Sequence, residues 1–287
     1  MIMEIIGSQK IWTFASTATE AKALSCSAIR MNAAHRVRNY MDLATKVAEL
    51  QFRNRDFVLM FRGQKEDYKN RSGYTSLKAS LLRANSSTDR PTEQVLNTRF
   101  DKLVAAERAL VEEYERRSLL GRERLGRQRI LRWAILQHYE ICKTPLLDVT
   151  QSLRIAASFA SHNAEDDAFI FVLGVPYING AVTASAEAGL QIVRLASVCP
   201  PTAVRPHIQE GYLLAEYPDC ANVEQKLLYS YAEMDFGRRL IAKFCFKPSL
   251  FWDQNGPFPQ ISEKALYPRA LHDPMCSLAE DVKSAID

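Results

Sequence analysis

Five apolar residues in succession, Phe57 to Phe61, stop abruptly at Arg62-Gly63-Gln64. Such a run is too short for a helix and long enough for a buried strand, so a strand is expected over 57–61. Further strands are expected at 146–149, where Asp148 interrupts the apolar residues, and at 168–175, closed by Pro176. Others are expected at 191–198, at 212–215, and at 239–246, where apolar and basic residues alternate as in a half-buried strand. Helical spacing of apolar residues marks 16–50 (Leu24, Ile29, Met31, Val37, Tyr40, Leu43, Val47, Leu50), with His35, Arg36 and Arg38 on its solvated face. It also marks 95–120, which follows Pro91 and is ended by Gly121, then 130–139 and 153–160. Residues 76–83 read as a short amphipathic segment, 222–231 as helical or extended, and 263–286 as a turn and a last helix. Polar loops are expected at 85–91 and 161–167.

No internal repeat, low-complexity tract or linker divides the 287 residues. The expectation is one α+β domain over 1–287, with a helical extension to residue 55, a helical insertion over 91–140 and a β-rich core over 141–287. The chain is 47% hydrophobic and 24% charged, enough to bury a sizeable core. A net charge of +4 permits an anionic partner without requiring one. The six cysteines are dispersed, with no CxxC pair or His-Cys cluster, which argues against a zinc site or a disulfide framework. The N-terminus has no signal-peptide pattern and no stretch is long and apolar enough to span a membrane, so a cytoplasmic protein with reduced thiols is expected.

The chain is organised around residues 137–160, QHYEICKTPLLDVTQSLRIAASFA. A carboxylate at Asp148 within a buried strand needs a partner. Thr150 and Ser152 stand where a helix N-cap is expected, which gathers hydroxyls and helix N–H groups at a strand end. That arrangement suits an anion; on local sequence alone, a capped core helix behind a core strand is the favoured reading. Arg62, at the end of the first strand, carries the planar fork that binds phosphates and carboxylates; alternatively it pairs with Asp148 or caps a carbonyl. His138 and Tyr139 are delivered to the same centre. Glu210 reads as a catalytic acid or an ordinary surface residue. Between Arg116 and Arg132 stand seven arginines and one acid, Glu123. The run is either a solvated face or a surface for a nucleic-acid backbone or an acidic partner protein.

No P-loop, GxGxxG, GxSxG or HExxH motif is present. The ordered segments FRGQ (61–64), QHYEICKTPLLDVTQS (137–152), ASFA (157–160), AFIFVL (168–173), RPHIQEGY (205–212) and ALYPRALHD (265–273) resemble the FRG-domain family. The resemblance runs from about residue 57 to the C-terminus. Departures are Glu140 for the family's Gly, Val149 for its Trp and Glu210 for its second Gln.

This family resembles a branch of the ADP-ribosyltransferases found in toxin and phage-defence settings. The resemblance implies a split β-sandwich core and NAD as co-substrate, without a metal. It implies Arg62, Gln209 and Glu210 as catalytic groups. Arg62, Gly63, Gln64, His138, Tyr139, Asp148, Thr150 and Ser152 would bind the cofactor, Tyr139 by stacking on nicotinamide. The third catalytic place is the least regular, because the usual (Gln/Glu)-x-Glu spacing is absent. The implied activity is mono-ADP-ribosylation by an intracellular toxin or phage-defence effector, with RNA, DNA or protein as acceptor and an antitoxin as neutralising partner; the 116–132 arginines favour nucleic acid among these, RNA first. An NAD glycohydrolase and a non-enzymatic FRG binding module are the alternatives.

Overall fold

The computed structural model describes residues 9–84, 90–162, 164–228, 235–253 and 256–286. Most of the loop expected at 85–91, Asn163 and the end of the 222–231 stretch lie outside the described residues, as do the first eight residues of the chain. In chain order the strands are β1 (Lys10–Thr13), β2 (Lys22–Ser25), β3 (His35–Arg36), β4 (Val58–Gln64), β5 (Leu147–Thr150), β6 (Ala168–Val175), β7 (Val182–Ser185), β8 (Leu190–Arg194), β9 (Gly211–Glu216) and β10 (Leu240–Phe246). The helices are α1 (Cys26–Met31), α2 (Tyr40–Arg53), α3 (Glu93–Arg116), α4 (Arg122–Arg127), α5 (Arg129–His138), α6 (Leu153–His162), α7 (Leu195–Val198), α8 (Arg205–Ile208), α9 (Val223–Leu227), α10 (Pro248–Phe251), α11 (Glu263–Leu266) and α12 (Pro274–Ile286).

Main-chain proximity groups the chain into two compact units. The first comprises Met1–Leu77, Val149–Ile178 and Asp235–Glu263; the second comprises Lys78–Asp148, Asn179–Met234 and Lys264–Asp287. Both mix helices with strands, as the α+β reading expects.

In the first unit the strand order is β3-β10-β6-β4-β5. Only the β10/β3 pair is parallel; its neighbours along this order are antiparallel. β6 lies at the centre with every residue but Phe169 buried, which explains its uninterrupted apolar sequence. β1 and β2 form a separate antiparallel hairpin.

The helix expected over 16–50 is not continuous. Ser25 caps α1 through its side chain, Asn32 ends it, His35–Arg36 pairs with β10, and Asn39 caps α2. These polar residues offer the backbone local partners that compete with a helix. His35 and Arg36 therefore do not lie on a solvated helix face: His35 is buried, and Arg36 forms an ion pair with Asp167 at the β3 edge. β10 also corrects the half-buried strand expected at 239–246, since all seven of its residues are buried.

The second unit carries the antiparallel meander β7-β8-β9, with Val182 opposite Val193 and Ile192 opposite Leu214. The 24-residue α3 lies with α5 and α12 around Leu103, Leu110, Trp133, Leu136, Leu278 and Val282. Glu107, buried on α3, accepts hydrogen bonds from Trp133 Nε1 (2.8 Å) and Arg132 Nε (2.7 Å). The helix expected to reach Gly121 stops at Arg116. Gly121, at φ +87°, instead opens α4 in a left-handed conformation that glycine adopts without strain. The strand expected at 191–198 likewise ends at Arg194, because Leu195–Val198 turn into helix ahead of Pro200 and Pro201. Residues 76–83 hold a single 3-10 turn, Ser80–Leu82. Among the described residues no helix is long and apolar enough to cross a membrane.

Candidate functional site

In the first unit, strand alternation assigns Phe61 and Gly63 to one face of β4, and Met60, Arg62 and Gln64 to the other. A Cβ on Gly63 would meet the Ala156 carbonyl oxygen at 1.9 Å, so the Phe61/Gly63 face is the one that α6 covers. On the opposite face the register aligns Arg62 with Phe171 and Lys243, and Gln64 with Phe169 and Cys245. Phe169 and Phe171 stack there with ring centroids 6.5 Å apart. Phe169 is half-buried, and Gln64 Oε1 is buried with no hydrogen-bond donor among the described residues. A guanidinium, an open amide acceptor and an aromatic ring thus share one face.

One edge of that face is set by the chain that follows β4. Lys243 Nζ donates to Asp67 Oδ2 (2.9 Å), Thr75 Oγ1 (2.7 Å) and the Arg30 carbonyl (3.2 Å). Arg30 in turn pairs with Asp235 at 2.6 Å, and Asp235 Oδ1 accepts the Leu77 N–H at 2.8 Å. Burial pushes the Lys243 ammonium below its usual range, opposed by the Asp67 carboxylate. Every proton on Nζ has an acceptor, so Lys243 anchors this chain segment. The periodicity reading treats it as an outward-facing residue.

Thr150 pairs directly with Phe61, which brings the DVTQS turn beside the FRGQ strand within one unit. Paired residues on antiparallel strands share a face, so Thr150 lies on the α6 side and Arg62 on the other. The Thr150 hydroxyl accepts the Ser152 N–H at 3.0 Å, and the Ser152 carbonyl accepts the Ala156 N–H at 3.0 Å. These two residues set the start of α6.

In the second unit, Asp148 accepts from Gln137 Nε2 (2.6 Å), whose Oε1 accepts from Thr144 Oγ1 (2.5 Å). His138 is fully buried, its Nε2 has no hydrogen-bond partner among the described residues, and its pKa lies well below the ordinary value, because of burial first and the nearby Arg205 charge second. Tyr139 is buried and donates to Asp273 Oδ2 at 3.0 Å. The Arg205 guanidinium lies over the Tyr139 and Tyr267 rings, 5.7 and 4.6 Å from their centroids, and pairs with Glu140 at 2.9 Å.

Glu140 occupies the place of the motif's Gly and holds φ +54°, a left-handed backbone that explains a glycine there. Gln209 is buried and donates to the Leu266 carbonyl at 2.7 Å, whereas Glu210 is exposed at φ +44°. Arg205 and Asp273, which motif reading left without roles, join three of the motif segments.

The arginine run is largely paired. Arg116 and Arg117 share Glu113 and Asp281, Arg122 pairs with Glu115, Arg127 with Glu123, and Arg129 and Arg132 with Glu107. The described cysteines are all free. Among the described residues no group of three or more His, Cys, Asp or Glu could hold a metal ion.

Residues 58–168 match the family model of the FRG domain. That stretch contains β4 with Arg62, the 137–152 motif and α6. No curated protein and no solved structure gives a significant match to this chain.

Proposed function

We propose that this chain is an NAD-dependent ADP-ribosyltransferase, with a fold of that superfamily and with Arg62 holding the diphosphate of NAD. The observation that carries the reading is the Arg62 face of β4. A planar guanidinium suits a diphosphate, Phe169 offers a ring for an aromatic base, and Gln64 Oε1 has no donor among the described residues, so that a carboxamide or an exocyclic amine would supply one. An unsatisfied buried acceptor is costly, so a ligand that donates to it gains affinity. Phe169 takes the stacking role that the family resemblance gives to Tyr139, whose ring is buried and whose hydroxyl is engaged with Asp273.

In this reading the bond from ribose C1″ to the nicotinamide nitrogen breaks, and its electron pair neutralises the pyridinium. Positive charge builds on the ribose as the bond opens; a carboxylate offsets such charge, and the family resemblance gives that role to Glu210. A bond from C1″ to the acceptor's nitrogen or oxygen then forms, and the acceptor's proton passes to Glu210 and on to water.

Glu210 is exposed, which favours a second outcome on the same scaffold: water as acceptor, giving hydrolysis. Incubating the protein with NAD alone separates the two. Rapid nicotinamide release without a macromolecule marks a glycohydrolase. Release that requires added RNA or protein, with an ADP-ribose adduct seen by mass spectrometry, marks a transferase. No release under either condition, with no NAD bound, leaves a binding module.

A further inference from the structure

Glu210 sits between two buried residues in a backbone conformation that non-glycine residues avoid. The turn before it is fixed at both ends. At its start, the Arg205 N–H donates to Asp273 Oδ2 at 2.8 Å, and Asp273 is held by Tyr139 Oη and the Met275 N–H, each at 3.0 Å. At its end, Gln209 Nε2 donates to the Leu266 carbonyl at 2.7 Å, while the Gln209 and Glu210 N–H groups close onto the Arg205 and His207 carbonyls. Beyond Glu210 the chain enters β9 at Gly211, where a Cβ would meet Leu195 Cδ1 at 2.7 Å.

We propose that Gln209 and Asp273 are positioning residues: they clamp α8 so that Glu210 is held in its left-handed conformation with its carboxylate presented outward. Leu266 and Asp273 both lie in the 265–273 motif, and Arg205 and Gln209 in the 205–212 motif. The clamp is thus a physical reason for the two motifs to occur together. A non-glycine residue persists at positive φ only where its surroundings over-determine it, and such positions concentrate where a side chain must be aimed. The inference rests on the transfer role given to Glu210 above.

The test uses the full chain with Glu210→Gly, Glu210→Asn, Gln209→Met and the Gln209→Met/Glu210→Gly pair, reading melting temperature and NAD turnover. Glycine relieves the backbone, so Glu210→Gly raises the melting temperature by about 2–4 °C. In the Gln209→Met background the same change gives less than half that gain, because the turn has already relaxed. Asparagine tolerates the left-handed backbone better than glutamate, so Glu210→Asn melts at or slightly above the wild type, below Glu210→Gly, while losing about 100-fold in kcat. Gln209→Met stays folded and loses about 100-fold in kcat, with KM for NAD held within about twofold. Equal melting gains in both backgrounds overturn the clamp. Unchanged kcat in Gln209→Met overturns the positioning role. A wild-type protein with no turnover but an intact melting difference sinks the transfer reaction, and the positioning role with it, while leaving the clamp standing.

Discussion

Gly63 and Ala156 approach so closely that a methyl group on Gly63 would lie 1.9 Å from the Ala156 carbonyl oxygen and 2.8 Å from the Ala160 nitrogen. Both obstacles are backbone of α6, which cannot swing aside as a side chain would. The glycine of the FRGQ segment is therefore required by helix packing on β4. Gly63→Ala is expected to cost about 1–3 kcal/mol as α6 is pushed off the sheet. Urea denaturation checks this, and wild-type stability in the variant contradicts it.

Lys243 is 3% exposed and its ammonium is satisfied by Asp67, Thr75 and a carbonyl. Removing one partner of a buried pair strands the other charge, so Lys243→Met should destabilise by about 3–5 kcal/mol. Adding Asp67→Leu to Lys243→Met removes the stranded carboxylate and should recover part of that loss. A double variant no more stable than the single one would show that Asp67 reaches water without Lys243.

His138 and His35 are both held neutral by burial, below the ordinary value of 6.5. Above that value neither the folded nor the unfolded chain carries these protons, and their contribution to stability is complete. As pH falls below it, the unfolded chain takes up protons that the folded chain refuses, and stability is lost. The slope is bounded by about 1.4 kcal/mol per pH unit for each proton that only the unfolded chain binds. Denaturation midpoints at pH 7.5, 6.5 and 5.5 should fall in that order, and less steeply in His138→Gln. An unchanged slope in His138→Gln would assign the acid sensitivity elsewhere.

Six of the seven arginines at 116–132 have acidic partners among the described residues, so the run is expected to be a solvated face. Reversing Arg124 and Arg127 to Glu should leave the salt dependence of RNA binding unchanged, as read by fluorescence anisotropy across a salt series. A slope reduced by about one for each arginine would show that these side chains touch phosphates.

Legibility in the sequence tracked how local the physics is. The strand 168–175 appears with its exact ends, because Asp166-Asp167 and Pro176 bound a run buried on both faces. Arg62 stands out because a cation after five apolar residues breaks a pattern. The 16–50 stretch misleads, since its apolar residues serve a hairpin and two separate helices whose breaks are made by Asn32 and Asn39 caps. Lys243 is hidden for a related reason: a lysine among alternating apolar residues looks outward unless its half-buried partner Asp67, 176 residues away, is known. The Arg205–Asp273 contact spans 68 residues and leaves no local mark. Glu140 and Glu210 carry no sign of positive φ in their own identities, although the motif's glycine at the first position hints at it.

Calorimetric titration of NAD into the wild type and into Arg62→Lys shows whether the guanidinium at this position holds the dinucleotide. Lysine keeps the charge but loses the planar fork. Saturable binding to the wild type is expected, with about tenfold or greater weakening in Arg62→Lys, equivalent to about 1.4 kcal/mol. Equal affinity in the two proteins, or no binding to the wild type, would contradict it.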